Sequence, residues 1–251
     1  MDEWISLLPI TMILCFGIFV QSAAGFAAGL LIVPALLWCG YTIPAAQAAM
    51  LVATIPQNVW GVWSLRDSIS PRRVVWPALA RVLFLPVGVM LLYSMESLPT
   101  DSIRQIVGGV VLAATLAIMW FNPVPRSSLH PIWAWLAFPV SGFLQGVVGM
   151  GGPVMVFWVQ AHDWDSKQTR GFLFTMYLIS IIPALAILYI AFGDRIVAPA
   201  VSAAASIPVL WLSAIMGLRF GTWLGTERLR RLTLVLLLLL GVSGVTAPWW
   251  R

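Results

Sequence analysis

Residues 143–153 read FLQGVVGMGGP and stand inside an apolar run, about 131 to 161, that is long enough to be a membrane span. Four glycines, a proline and Gln145 occupy positions where a membrane helix would carry leucine. Glycine weakens helix and Pro153 removes a backbone donor, so the stretch predicts a helix interrupted at membrane depth. The opening run of the chain, Trp4 to Cys39, has the same problem. As one helix it would extend ~54 Å against ~30 Å of hydrocarbon, so it must tilt strongly, break or re-enter.

The surrounding sequence is that of a polytopic helical membrane protein. The 251 residues are 61% hydrophobic and 9% charged, with a mean hydropathy of +0.95. Soluble domains carry about a quarter charged residues. Eight apolar segments recur, at about 4–39, 43–64, 73–95, 103–121, 131–161, 168–192, 196–219 and 229–248, without β-barrel alternation. They fill the chain as one membrane domain, 1–251. The formal charge of +5 resides mostly in the short gaps, where basic residues orient a protein in the membrane rather than bind nucleic acid. Cys15 and Cys39 lie in apolar sequence without a CxxC or Cys/His pattern, so they read as packing residues, and no metal or cofactor is expected. The start, MDEWISLLPITMILCFG, is acidic where a signal peptide is basic, and reads as a retained first span.

A shift of 124 positions lays FVQSAAGFAAG (19–29) over FLQGVVGMGGP (143–153), matching Phe19 with Phe143, Gln21 with Gln145 and Gly25 with Gly149. LPTDSIRQIVGGVVL resembles LGTERLRRLTLVLLL at a similar offset. The chain therefore divides into two homologous repeats, 1–125 and 126–251, each of four apolar segments opening with a Gly-rich break. Four full crossings per half would put SLRDSISPRR and LGTERLRR on opposite sides. An odd number, as a broken opening segment allows, inverts the second repeat and places both basic loops in the cytoplasm.

A helix that begins within the membrane exposes unpaired N–H groups and a positive dipole end, which favour an anion. Irregular backbone is tolerated there only where it is buried in protein or lines a cavity. The candidate substrate-binding residues are accordingly the glycines Gly25, Gly149, Gly151 and Gly152, with Gln21 and Gln145 one turn before each break. Asn58, in the polar stretch TIPQNVWGVW, Tyr177, and two arginines complete the set. Arg170, at the start of the sixth segment, is the expected charge partner, through a bidentate fork. Arg81 lies about nine residues into the third apolar run, where an arginine is a functional residue by default, with snorkelling as the alternative. For each residue helix packing or interfacial anchoring is the competing explanation. All nine acidic residues fall in terminal or loop sequence, so no carboxylate marks a proton relay or sodium site. That leaves a facilitator or exchanger for an anion, ahead of a non-transporting assembly partner. An intramembrane enzyme is disfavoured because His130 and His162 lie at loops and no base accompanies a nucleophile.

The paired motifs resemble the TauE/SafE sulfite exporter family, whose duplicated halves open with a Gly-rich motif. GFLQGVVGMGGPVMVFW (142–158) is the closer copy, and GIFVQSAAGFAAGLLIVP (17–34) is degenerate, with Ala27 and Ala28 where glycines are common. TRGFLFTMY (169–177) is similar to an Arg-Gly and aromatic-rich helix of one branch. The resemblance implies a multi-pass carrier in the cell inner membrane for small sulfur-containing anions, sulfite or organosulfonates. A carrier of another small organic anion is the alternative.

Overall fold

The computed structural model describes residues 2–24, 27–120, 125–126, 129–224 and 226–249. Among them the regular structure is all helical apart from an isolated bridge between Arg126 and His162. The helices are α1 (Asp2–Ala24), α2 (Ala28–Trp38), α3 (Ile43–Leu65), α4 (Pro71–Ser94), α5 (Thr100–Trp120) and α6 (Pro131–Val148). They continue with α7 (Gly152–Gln160), α8 (Ser166–Phe192), α9 (Val197–Ala205), α10 (Ile207–Leu224) and α11 (Thr226–Val245). Four helical stretches, 71–97, 100–120, 131–148 and 166–205, are long and apolar enough to cross a membrane.

Local chemistry sets the boundaries. Proline stands in the first turn of α3, α4 and α6, where its missing N–H costs nothing. Asp165 caps α8 by accepting the Gln168 N–H at 2.7 Å. Gly149 ends α6 at φ 74, a left-handed conformation that favours glycine. The run at 196–219, read from sequence as one segment, is divided at Ser206 into α9 and α10. Pro208 explains this, because it has no N–H to donate back to Ala204.

The breaks are real interruptions with opposite surroundings. α4 runs alongside α6, and α10 runs alongside α1. A Cβ on Gly88 of α4 would stand 2.9 Å from Gly146 Cα, and one on Gly217 of α10 would stand 3.0 Å from the Phe19 carbonyl carbon. These close approaches require glycine. Thr11 and Ser206 share a 2.8 Å hydrogen bond, and Ser213 donates to the Cys15 carbonyl at 2.6 Å, so α1 and α10 run in the same direction.

Contacts at the helix ends define two faces of the molecule. On the first, Arg104 at the start of α5 donates to the Leu37 carbonyl at the end of α2, at 3.3 Å, and Arg195 after α8 pairs with Glu96 after α4 at 2.7 Å. On the second, Arg73 of α4 stacks 5.2 Å over Trp164, after α7, and Gly171 of α8 lies against Ile69, after α3. Arg126, before α6, exchanges backbone hydrogen bonds of 3.0 Å with Ala161 and Asp163, after α7. α7 therefore leads back toward the face on which α6 begins, and α6 and α7 form a hairpin with the glycine break at its tip.

Candidate functional site

The two breaks meet in the interior. Gly29, in the first turn of α2, lies so close to the turn after α6 that a Cβ there would stand 2.7 Å from the Gly149 carbonyl oxygen. Around this point is a small cavity of about 60 Å³, whose lining includes Gln21, Asn58, Arg81, Gln145, Gly152 and Tyr177. α2 and α7 both start at its wall, at Ala28 and Gly152, and neither start carries a side-chain cap. Their first N–H groups have no partner within their own helices.

Arg81 supplies the charge. It is the eleventh residue of the 24-residue α4, ~16 Å along the helix axis and so near mid-span. It is 1% exposed. Its Nη2 donates to Gln145 Oε1 at 3.3 Å, its Nη1 donates to Met155 Sδ, and its guanidinium lies 5.6 Å over the Tyr177 ring. Ion pairs are made by Arg66 with Asp67, Arg104 with Asp101 and Arg195 with Glu96, whereas Arg81 makes none among the described residues. A charge removed from water at a cost of several kcal/mol is thus compensated by an amide, a thioether and a ring, without an anion. Snorkelling does not describe it, because the guanidinium is buried rather than carried to an interface.

Gln145 organises the second break. Its Oε1 accepts from both Arg81 Nη2 and the Gly151 N–H, the latter at 3.3 Å. Two donors facing one atom fix the amide orientation, so the acceptor is consumed within the protein and Nε2 is left buried without a partner. Ser141 Oγ donates to the Gly151 carbonyl at 2.7 Å, and Gln47 Nε2 donates to the Gly146 carbonyl at 3.3 Å. Four buried polar atoms at the cavity are left without a partner: Arg81 Nε, Gln145 Nε2, Asn58 Nδ2 and Asn58 Oδ1. An unsatisfied buried donor costs about 1–3 kcal/mol, so three of them, one on the Arg81 guanidinium itself, have the chemistry to bind an acceptor-rich anion.

With this geometry established, comparison with known proteins gives a family. The family model described as sulfite exporter TauE/SafE matches residues 10–244. The chain belongs to that family. A relative from Cupriavidus necator, named a probable sulfite/organosulfonate exporter TauE, is 23% identical over 240 residues, covering 94% of this chain and 93% of its own. No solved structure matches. Membership in this exporter family and the long apolar helices make the chain a multi-pass, all-α membrane protein.

The cavity brings together Gln21, Asn58, Arg81, Gln145, Gly149, Gly152 and Tyr177 of the sequence-derived residues. Gly151 stands behind it, bonded to Gln145 and Ser141. Gly25 lies outside the described residues. Arg170 is placed elsewhere: it is exposed in the first turn of α8 and does not line the cavity. The arginine that lines the cavity is Arg81; seven residues, about two helical turns, separate Arg170 from Tyr177, which also lines it. Sequence reasoning missed Thr54 and Ser180 in the lining, and Ser141 and Gln47 as braces of the break. Each is a polar residue inside an apolar run, and that was the available signal.

Proposed function

We propose that this chain carries small sulfur oxyanions, sulfite or small organosulfonates, across the cell inner membrane by alternating access around the Arg81 cavity. The observation that carries this reading is a fully buried guanidinium with no carboxylate partner among the described residues, surrounded by orphaned donors. Arg81 holds the charge, and Gln145 Nε2 and the N–H groups opening α2 and α7 direct hydrogen bonds at the oxygens. Asn58 offers both a donor and an acceptor, which suits a substrate with a polar group opposite the sulfonate. The cavity, about 60 Å³, favours compact anions over aryl sulfonates.

Two inverted repeats, 1–125 and 126–251, are supported by the reciprocal pairing of α4 with α6 and α10 with α1. The close approaches of Gly88 to the Phe143 carbonyl and of Gly217 to the Phe19 carbonyl agree with it, since Phe19 and Phe143 are matched positions. In this reading α1–α2 and α6–α7 are hairpins entering from opposite faces. Three crossings follow each: α3, α4 and α5, then α8, α9–α10 and α11. The described residues of 66–73, 125–130, 161–170 and 219–231 then share one face and hold ten of the fourteen Lys and Arg residues. Arg104, near the start of α5, and Arg195, after α8, lie on the other. The basic face is the cytoplasmic one.

The test is flux into proteoliposomes with sulfite, taurine, isethionate and 4-toluenesulfonate, comparing wild type with Gln145→Ala. Sulfite and the small sulfonates are expected to be carried in preference to 4-toluenesulfonate, with flux reduced about tenfold by Gln145→Ala. Absence of flux for every sulfur anion would overturn the function. Unchanged flux in the variant would overturn the site. Flux of carboxylates in preference to sulfur anions would favour a carrier of another organic anion.

A further inference from the structure

The α6–α7 hairpin carries a second feature on its outer side, distinct from the transport cavity in lining and chemistry. α6 has 18 residues and α7 has 9, and beside the shorter helix opens a groove of about 740 Å³. Trp133, Leu136 and Val140 of α6 form one wall, Val154 and Phe157 of α7 the other, and Ala117 of α5 the floor. The α6 wall faces outward, with Trp133 58% and Leu136 55% exposed. Such a cleft in hydrocarbon is not left empty, because a void forfeits the dispersion contacts of its whole lining.

One end of the groove is charged. Arg126 is the only charged residue of the lining. Its backbone is tied to Ala161 and Asp163 by the two 3.0 Å hydrogen bonds, so the stem of its side chain is fixed at the mouth, on the same face as Arg73 and Trp164. Its side chain is exposed and forms no ion pair among the described residues. The occupant that matches is therefore apolar along most of its length and anionic at the end lying at the membrane surface.

We propose that the groove holds an anionic phospholipid of the leaflet on the basic face, with an acyl chain between α6 and α7 and its phosphate on Arg126. The lipid packs against the outer side of the hairpin whose tip forms the transport cavity, and so braces the break from behind. An anionic leaflet supplies this ligand where the basic face is cytoplasmic.

The test uses the full chain, purified in detergent and stripped of lipid, with native mass spectrometry and thermal unfolding during titration with phosphatidylglycerol or phosphatidylcholine. Wild type is expected to retain one phosphatidylglycerol about fivefold more tightly than phosphatidylcholine, with a raised Tm. Arg126→Gln should bring the two lipids to equal affinity, and Arg126→Lys should keep the preference. Val140→Trp, which fills the groove, should abolish the stabilisation by either lipid. No preference in wild type, or an undiminished preference in Arg126→Gln, would overturn the proposal. So would a lipid-free dimer in which Val140→Trp produces monomers, which would assign the groove to a second copy.

Discussion

In the break between α6 and α7, Gly149 turns the chain at φ 74, and Gln145, Ser141 and Gln47 stitch the turn to its surroundings. In the break between α1 and α2, the described turn residue is Ala27 at φ 95, a conformation that costs an L-residue about 1–2 kcal/mol, and α2 begins without a side-chain cap. The flanking helices differ too. α4 places Arg81 beside the second break, seven residues before Gly88, whereas the position seven before Gly217 on α10 is Leu210. In the proposed two-repeat reading, the two breaks thus differ in build. The second break is braced by side-chain hydrogen bonds and supplies donors, while the first places Ala27 at positive φ and adds Gln21 and the start of α2. An asymmetric site of this kind can present one charge and one set of donors to a single anion, instead of two equal half-sites.

Removing that asymmetry gives the largest expected effect. Arg81→Leu makes α4 resemble α10, and substrate flux should fall about a hundredfold or more, as expected for loss of a buried charge partner. Thermal stability should hold or rise, because the desolvated charge is gone. A simultaneous collapse of Tm would mean that Arg81 serves the fold. Next is Gly149→Ala, which puts a side chain at positive φ and a Cβ 2.8 Å from Gln47 Cγ. It should destabilise by about 2–4 kcal/mol, read from thermal unfolding in detergent. The reverse change in the other break, Ala27→Gly, should stabilise by about 1 kcal/mol through release of the strained φ. If both variants lower Tm equally, the two breaks are not built as differently as described. The smallest effect belongs to Arg170→Ala, which should leave substrate affinity within about twofold, as for an exposed surface charge.

Much of this was legible in the chain itself. The glycine clusters located both interruptions because glycine weakens helix and takes a left-handed turn at least cost, although the described turn residue of the first break is Ala27. Arg81, Asn58 and Gln145 stood out as polar groups in apolar runs. What could not be read was direction. Arg81 lies inside an apolar run and Arg170 at the edge of one, yet only the packing of α4 against α6 and α8 shows the Arg81 guanidinium turned inward rather than carried to an interface. The division of labour within Gln145, its oxygen spent on Gly151 and Arg81 and its nitrogen left without a partner, depends on contacts across 64 positions of chain in the case of Arg81. The split at Ser206 was missed because Pro208 is compatible with a continuous apolar run, and only the unmade backbone bond distinguishes the two.

The central claim is that a sulfur oxyanion sits between Arg81 and the second break. Selenite is a heavier analogue of sulfite with a usable anomalous signal, so a crystal structure of the protein soaked with selenite tests it directly. The account predicts one selenium peak in the interior cavity, with oxygens about 2.7–3.2 Å from Arg81 Nε and Gln145 Nε2. A peak at Arg170, or an interior cavity left without one while the soaked protein still transports sulfite, would contradict it.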